Sequence, residues 1–97
     1  MSDPSVNVAH WRARSSKSLA EAQQSQDVWS RGRLYAFAFC DLISAAESDL
    51  SQSDGFIPEL NAIWSEMPQD GKEYCLGLHI HESRAFPLRV RSEVCGG

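Results

Sequence analysis

From Asp27 onward the apolar positions Val28, Trp29, Gly32, Tyr35, Ala36, Phe39, Leu42, Ile43, Ala46 and Leu50 recur at helical spacing. The pattern predicts a long central helix over about residues 28–51, with the Asp27 carboxylate capping its first turn. Leu34, Phe37, Ala38 and Ala45 occupy its other faces, so between 34 and 46 the helix is apolar nearly all round. Helices of that kind are buried on several sides. An unbroken helix from Leu19 to Ser51 would be about 50 Å long, longer than a globule of this chain length, so it breaks near Ser25 to Asp27 or projects.

Upstream, Ser18-Leu19-Ala20-Glu21 has the form of a capping box and predicts a helix start. Val6 and Val8 alternate within residues 5–11 and predict a short strand, and residues 1–17 read as a mobile arm. Downstream, Ser53-Asp54-Gly55 is a turn, and Pro58 with Glu59 opens a short helix over 58–67, whose stripe is Leu60, Ile63, Trp64 and Met67. Pro68 and an Asp70-Gly71 turn end it.

Residues 73–81 alternate strictly, with Tyr74, Leu76, Leu78 and Ile80 on one face and Cys75, Gly77, His79 and His81 on the other. Residues 86–94 repeat the pattern with Phe86, Leu88 and Val90 against Pro87, Arg89 and Arg91. Together they predict an antiparallel hairpin and an α+β fold, a single small domain of residues 1–97 with two or three helices packed on it. A two-stranded sheet is marginal alone, and little else remains to wrap the central helix. Both arguments point to a homodimer.

Composition narrows the function. The formal net charge is −4, which disfavours nucleic-acid binding, since affinity for phosphate backbones comes from clustered Lys and Arg. The charge is segregated, +2 over residues 1–40, −8 over 41–82 and +2 over 83–97, as suits a protein that meets a charged protein or a copy of itself. The most apolar stretch, Leu34 to Ala46, contains Asp41 and Ser44 and is too short for a bilayer crossing, and Met1-Ser2-Asp3-Pro4 carries no secretory pattern, so a cytoplasmic location is expected. Cys40, Cys75 and Cys95 are an odd number without metal-type spacing and read as reduced thiols.

Little chemistry is legible. His79-x-His81 on a strand would point two imidazoles the same way, a weak candidate metal site flanked by Arg89 and Arg91 from the paired strand. Asp41 inside the apolar helix is a candidate buried carboxylate. Arg31-Gly32-Arg33 beside Trp29 and Tyr35 is too small an island for nucleic acid. No phosphate loop or nucleophile elbow occurs, and neither an enzymatic activity nor a cofactor is expected.

The sequence therefore predicts a small non-enzymatic regulatory protein that binds and blocks another protein, in the manner of an anti-activator of a transcription regulator or an immunity- or phage-type inhibitor. Its expected anchors are Trp29, Tyr35, Phe39, Leu42, Ile43, Ile63, Trp64 and Met67. The first alternative is a nucleic-acid-linked regulator or DNA mimic using the acidic segment 41–73, and the second a small metal or thiol enzyme using His79 and His81.

Overall fold

Asp27 acts as its position predicts. In a computed structural model, which describes residues 4–94, its carboxylate accepts from the Ser30 amide at 2.9 Å and the Ser30 hydroxyl at 2.7 Å. These bonds hold the Asp27 carboxyl below its ordinary range and start helix α2 (Val28–Ser48). Before it runs α1 (Pro4–Gln24), and after it come a 3-10 segment (Leu50–Phe56), α3 (Ile57–Glu66), α4 (Gln69–Gly77), a 3-10 turn (Ile80–Glu82) and α5 (Leu88–Val94). The Cα radius of gyration is 12.9 Å.

α1 and α2 form an antiparallel pair joined by residues 25–27, with Ser15 Oγ donating to the Ala38 carbonyl at 2.7 Å and Arg14 reaching Asp41 at 3.8 Å. Val8, Trp11, Ser15, Ser18 and Ala22 form the α1 seam, at the alternating three- and four-residue spacing of helices packed nearly parallel. Ser15 and Ala22 are small enough for the backbones to approach closely, and both are buried. The Ser18 box lies inside α1 rather than at its start. Residues 4–17, read as an arm with a short strand, form the first part of this helix.

α3 and α4 close the other sides of α2. Phe39 of α2, Trp64 of α3 and Phe86 make an aromatic triangle with ring centroids 5.2, 5.7 and 5.9 Å apart. α4 crosses α2 where Gly32 meets Gly71, so closely that a Cβ on Gly71 would lie 2.5 Å from the Gly32 carbonyl oxygen. Most of the cover for the apolar helix comes from the same chain, although Trp29 and Phe37 stay exposed.

The α+β expectation is overturned, because no strand occurs among the described residues. The segment 73–81, expected as a strand, is the body of α4 and the turn after it, and 86–94 leads into α5. The physical reason begins at Pro68-Gln69-Asp70-Gly71. Pro68 is extended and caps α4, Asp70 sits in the first turn at the positive end of the dipole, and Gly71 lets the two backbones touch. Asp-Gly is therefore a helix start fitted to a neighbour, not a hairpin turn. In helical form Gly71 and Cys75 fall on one buried face at i, i+4, whereas an isolated hairpin would leave its sheet unsupported. Pro87 likewise precedes α5, its carbonyl accepting from the Arg91 amide at 2.9 Å. The central helix ends at Ser48 rather than 51, where Asp49 leaves the helical conformation and its carboxylate accepts from the Ser51 amide. The short helix expected at 58–67 spans Ile57–Glu66.

Candidate functional site

Trp29, Arg33 and Phe37 succeed one another at four-residue spacing on the outer face of α2, and Asp70, Tyr74 and Leu78 do the same on and just beyond α4. The Gly32–Gly71 crossing sets these two stripes side by side. Between them lies an open groove of about 510 Å³ lined by Trp29, Arg33, Asp70, Glu73, Tyr74, Gly77 and Leu78. Trp29 is 60% exposed, Leu78 54% and Phe37 42%, a large apolar area for a chain whose other rings are mostly covered. Phe37 borders the groove through its contact with Tyr74 rather than lining it, and the other exposed apolar residues, Val6, Val28, Leu50 and Leu88, do not line it either.

Arg33 holds the face together. Its guanidinium lies 4.0 Å from the Tyr74 ring centroid and 5.1 Å from that of Trp29, and Phe37 meets Tyr74 edge-on at 5.8 Å. The Arg33 Nη1 nitrogen is buried and has no hydrogen-bond partner in the protein. The Asp70 and Glu73 carboxylates on the rim make no ion pair among the described residues. The face thus offers rings and two exposed carboxylates without an ion-pair partner.

Of the eight anchors expected from the sequence, Trp29 alone lines this face. Tyr35, Phe39, Leu42, Ile43, Ile63, Trp64 and Met67 are buried in the core. Arg33, Phe37, Tyr74 and Leu78 were not among the expected anchors. The 29-33-37 stripe was readable as a second helical face, but 74-78 becomes a stripe only once the segment is read as a helix.

The acidic segment does not present a continuous charged row. Both Glu59 carboxylate oxygens accept from Arg12 Nη1, at 2.7 and 3.0 Å, and Asp41 is half-buried beside Arg14. Burial pushes the Asp41 carboxyl up, with Arg14 and His10 opposing it. The Arg12–Glu59 pair also spans a cleft of about 170 Å³ between α1 and α3.

Cys40 and Cys75, far apart in sequence, lie with their sulfurs 4.0 Å apart where α2 meets α4, and both are free thiols. The contact between the two thiols holds Cys40 below its ordinary range and, with burial, pushes Cys75 well up, and the Cys75 thiol also lies 3.9 Å from the Ala36 carbonyl as a donor. Cys95 lies outside the described residues.

His79 and His81 are not on a strand but in the turn after α4, their ring centroids 5.9 Å apart. Glu82 joins them, its Oε2 4.0 Å from His79 Nδ1. Among the described residues no helix is long and apolar enough to cross a membrane. Comparison with protein-family models, curated proteins and solved structures finds no match to this chain.

Proposed function

We propose that this chain is a small, non-enzymatic, protein-binding regulator that acts as a stoichiometric antagonist through the Trp29–Arg33–Phe37–Tyr74–Leu78 face. The observation that carries the reading is the exposed Trp29, Phe37 and Leu78 arranged around a guanidinium fixed against two rings. Trp, Tyr and Arg are the side chains that dominate binding energy at protein interfaces. A groove this open encloses no small molecule well, while an apolar side chain between Trp29 and Leu78 would bury area on both walls.

Charge selects the partner's chemistry. Asp70 and Glu73 stand unpaired on the rim of a chain with net charge −4, so the complementary occupant is a segment with apolar anchors flanked by Lys or Arg.

The test is fluorescence anisotropy with two labelled amphipathic helical peptides of one pattern, one of Leu and Lys, the other of Leu and Glu. The reading expects saturable one-to-one binding of the Leu/Lys peptide, little of the Leu/Glu peptide, and roughly tenfold or greater loss in Trp29→Ala. Equal binding of both peptides, or binding that Trp29→Ala leaves unchanged, would overturn it. Binding abolished by moderate salt and indifferent to Trp29 would instead indicate a diffuse acidic surface.

A further inference from the structure

We propose that His79, His81 and Glu82 form a surface site for one divalent transition ion of the zinc class, with at least one coordination position left open. The inference is independent of the docking face. Three side chains of suitable ligand type converge here, offering two imidazole nitrogens and a carboxylate oxygen all within 4.8 Å of one another. Four-coordinate zinc with bonds near 2.1 Å separates its ligand atoms by about 3.3 Å. The exposed His79 and Glu82 side chains are free to turn and close that gap.

The backbone supplies the convergence. The Leu78 and His79 amides donate to carbonyls of the last turn of α4, and His79 adopts the left-handed conformation, φ 59°, the one positive φ among the described non-glycine residues. That helix-ending position is most often glycine, because a Cβ there is strained. A histidine at this site brings its ring round beside His81 and towards Glu82, one turn later in the 3-10 segment. The C-terminal end of α4, with its partial negative charge, further favours a cation. His81 Nδ1 is buried without a hydrogen-bond partner, so the ring has an unmet polar atom.

The hairpin expected from the sequence would place Arg89 and Arg91 beside the histidines. In the fold that hairpin does not exist, and the Arg91 guanidinium donates to the Ser83 carbonyl at 2.7 Å. Two imidazoles and one carboxylate make a ligand set suited to zinc, and a fourth position would be taken by water or by an incoming ligand.

The chain has a competing soft site in the Cys40–Cys75 thiols, so the test must tell nitrogen and oxygen ligands from sulfur. Tag-free reduced protein is titrated with Co²⁺, followed by visible absorption, and with Zn²⁺, followed by calorimetry. The proposal expects one ion per chain, with no thiolate-to-cobalt charge-transfer band, and affinity lowered roughly tenfold or more in His79→Gly, His81→Ala and Glu82→Gln. His79→Gly separates binding from folding, since glycine suits the left-handed position and the thermal midpoint should not fall. Absence of binding, a thiolate band, or unchanged affinity in His79→Gly would each overturn the site.

Discussion

The inner and outer faces of α2 are built from the same kinds of residue and meet different fates. Tyr35, Phe39, Leu42 and Ile43 are buried in the core, whereas Trp29 and Phe37, on the same helix, remain open to solvent. Helical periodicity says which residues share a face. It does not say which faces the rest of the chain covers, because that depends on where α1 and α4 pack. The difference teaches that an over-apolar helix need not imply a second subunit, and that the part left uncovered is the informative part.

The largest expected effect comes from breaking the inner face. Phe39→Ala should cost about 3–5 kcal/mol, since it opens a cavity between Trp64 and Phe86, and denaturant unfolding would measure it. A loss below about 1 kcal/mol would mean that the triangle is not the centre of the core. Next in size is the crossing that aligns the two outer stripes. Gly71→Ala should cost about 1–3 kcal/mol, because the new Cβ meets the Gly32 carbonyl and the Met67 side chain. It should also weaken peptide binding by shifting Tyr74 and Leu78 away from Trp29. Stability unchanged by Gly71→Ala would show that α4 packs elsewhere.

The outer face gives the contrasting result. Trp29→Ala should change stability by no more than about 0.5 kcal/mol while removing most of the affinity for the Leu/Lys peptide. A large loss of stability in this variant would move Trp29 into the core and end the contrast.

The smallest effects are electrostatic and of opposite sign. Burial raises the Asp41 carboxyl, so its charged form opposes folding at neutral pH, and the cost fades as pH falls through the raised value. Asp41→Asn should therefore raise the thermal midpoint at pH 7, with the gain shrinking towards pH 4. The Asp27 carboxyl is lowered by its bonds to Ser30, so it adds stability above its ordinary value of 3.8 and loses it as pH falls through the lowered one. Asp27→Ala should lower the midpoint at pH 7 and approach the parent protein in strong acid. Thermal melts across pH check both.

How much of this was legible from the chain varies by element. α2 and α3 were readable because large apolar residues mark their stripes and Asp27 and Pro58 mark their starts. α1 was readable only from Ser18 onward, because its seam against α2 includes Ser15, Ser18 and Ala22, small residues that favour close approach but carry little hydrophobic signal. α4 was misread because Tyr74-Cys75-Leu76-Gly77-Leu78 alternates in apolar size and follows Asp-Gly, and a nine-residue segment does not separate period two from period 3.6. Gly71 owes its identity to Gly32, distant in sequence and next to it in space. That long-range dependence hid the candidate face: Trp29 was named from its residue type, but its companions Tyr74 and Leu78 join it only through the crossing.

The central claim is that the Trp29 face, not the buried core, meets a basic apolar partner. Its most direct test is an ¹H–¹⁵N spectrum of the indole N–H groups of Trp11, Trp29 and Trp64 during titration with the Leu/Lys peptide. The account predicts that the Trp29 signal moves and saturates at one equivalent while the Trp64 signal stays in place. A shift confined to Trp11 or Trp64, or a Trp29 signal that does not move while peptide binds, would contradict it.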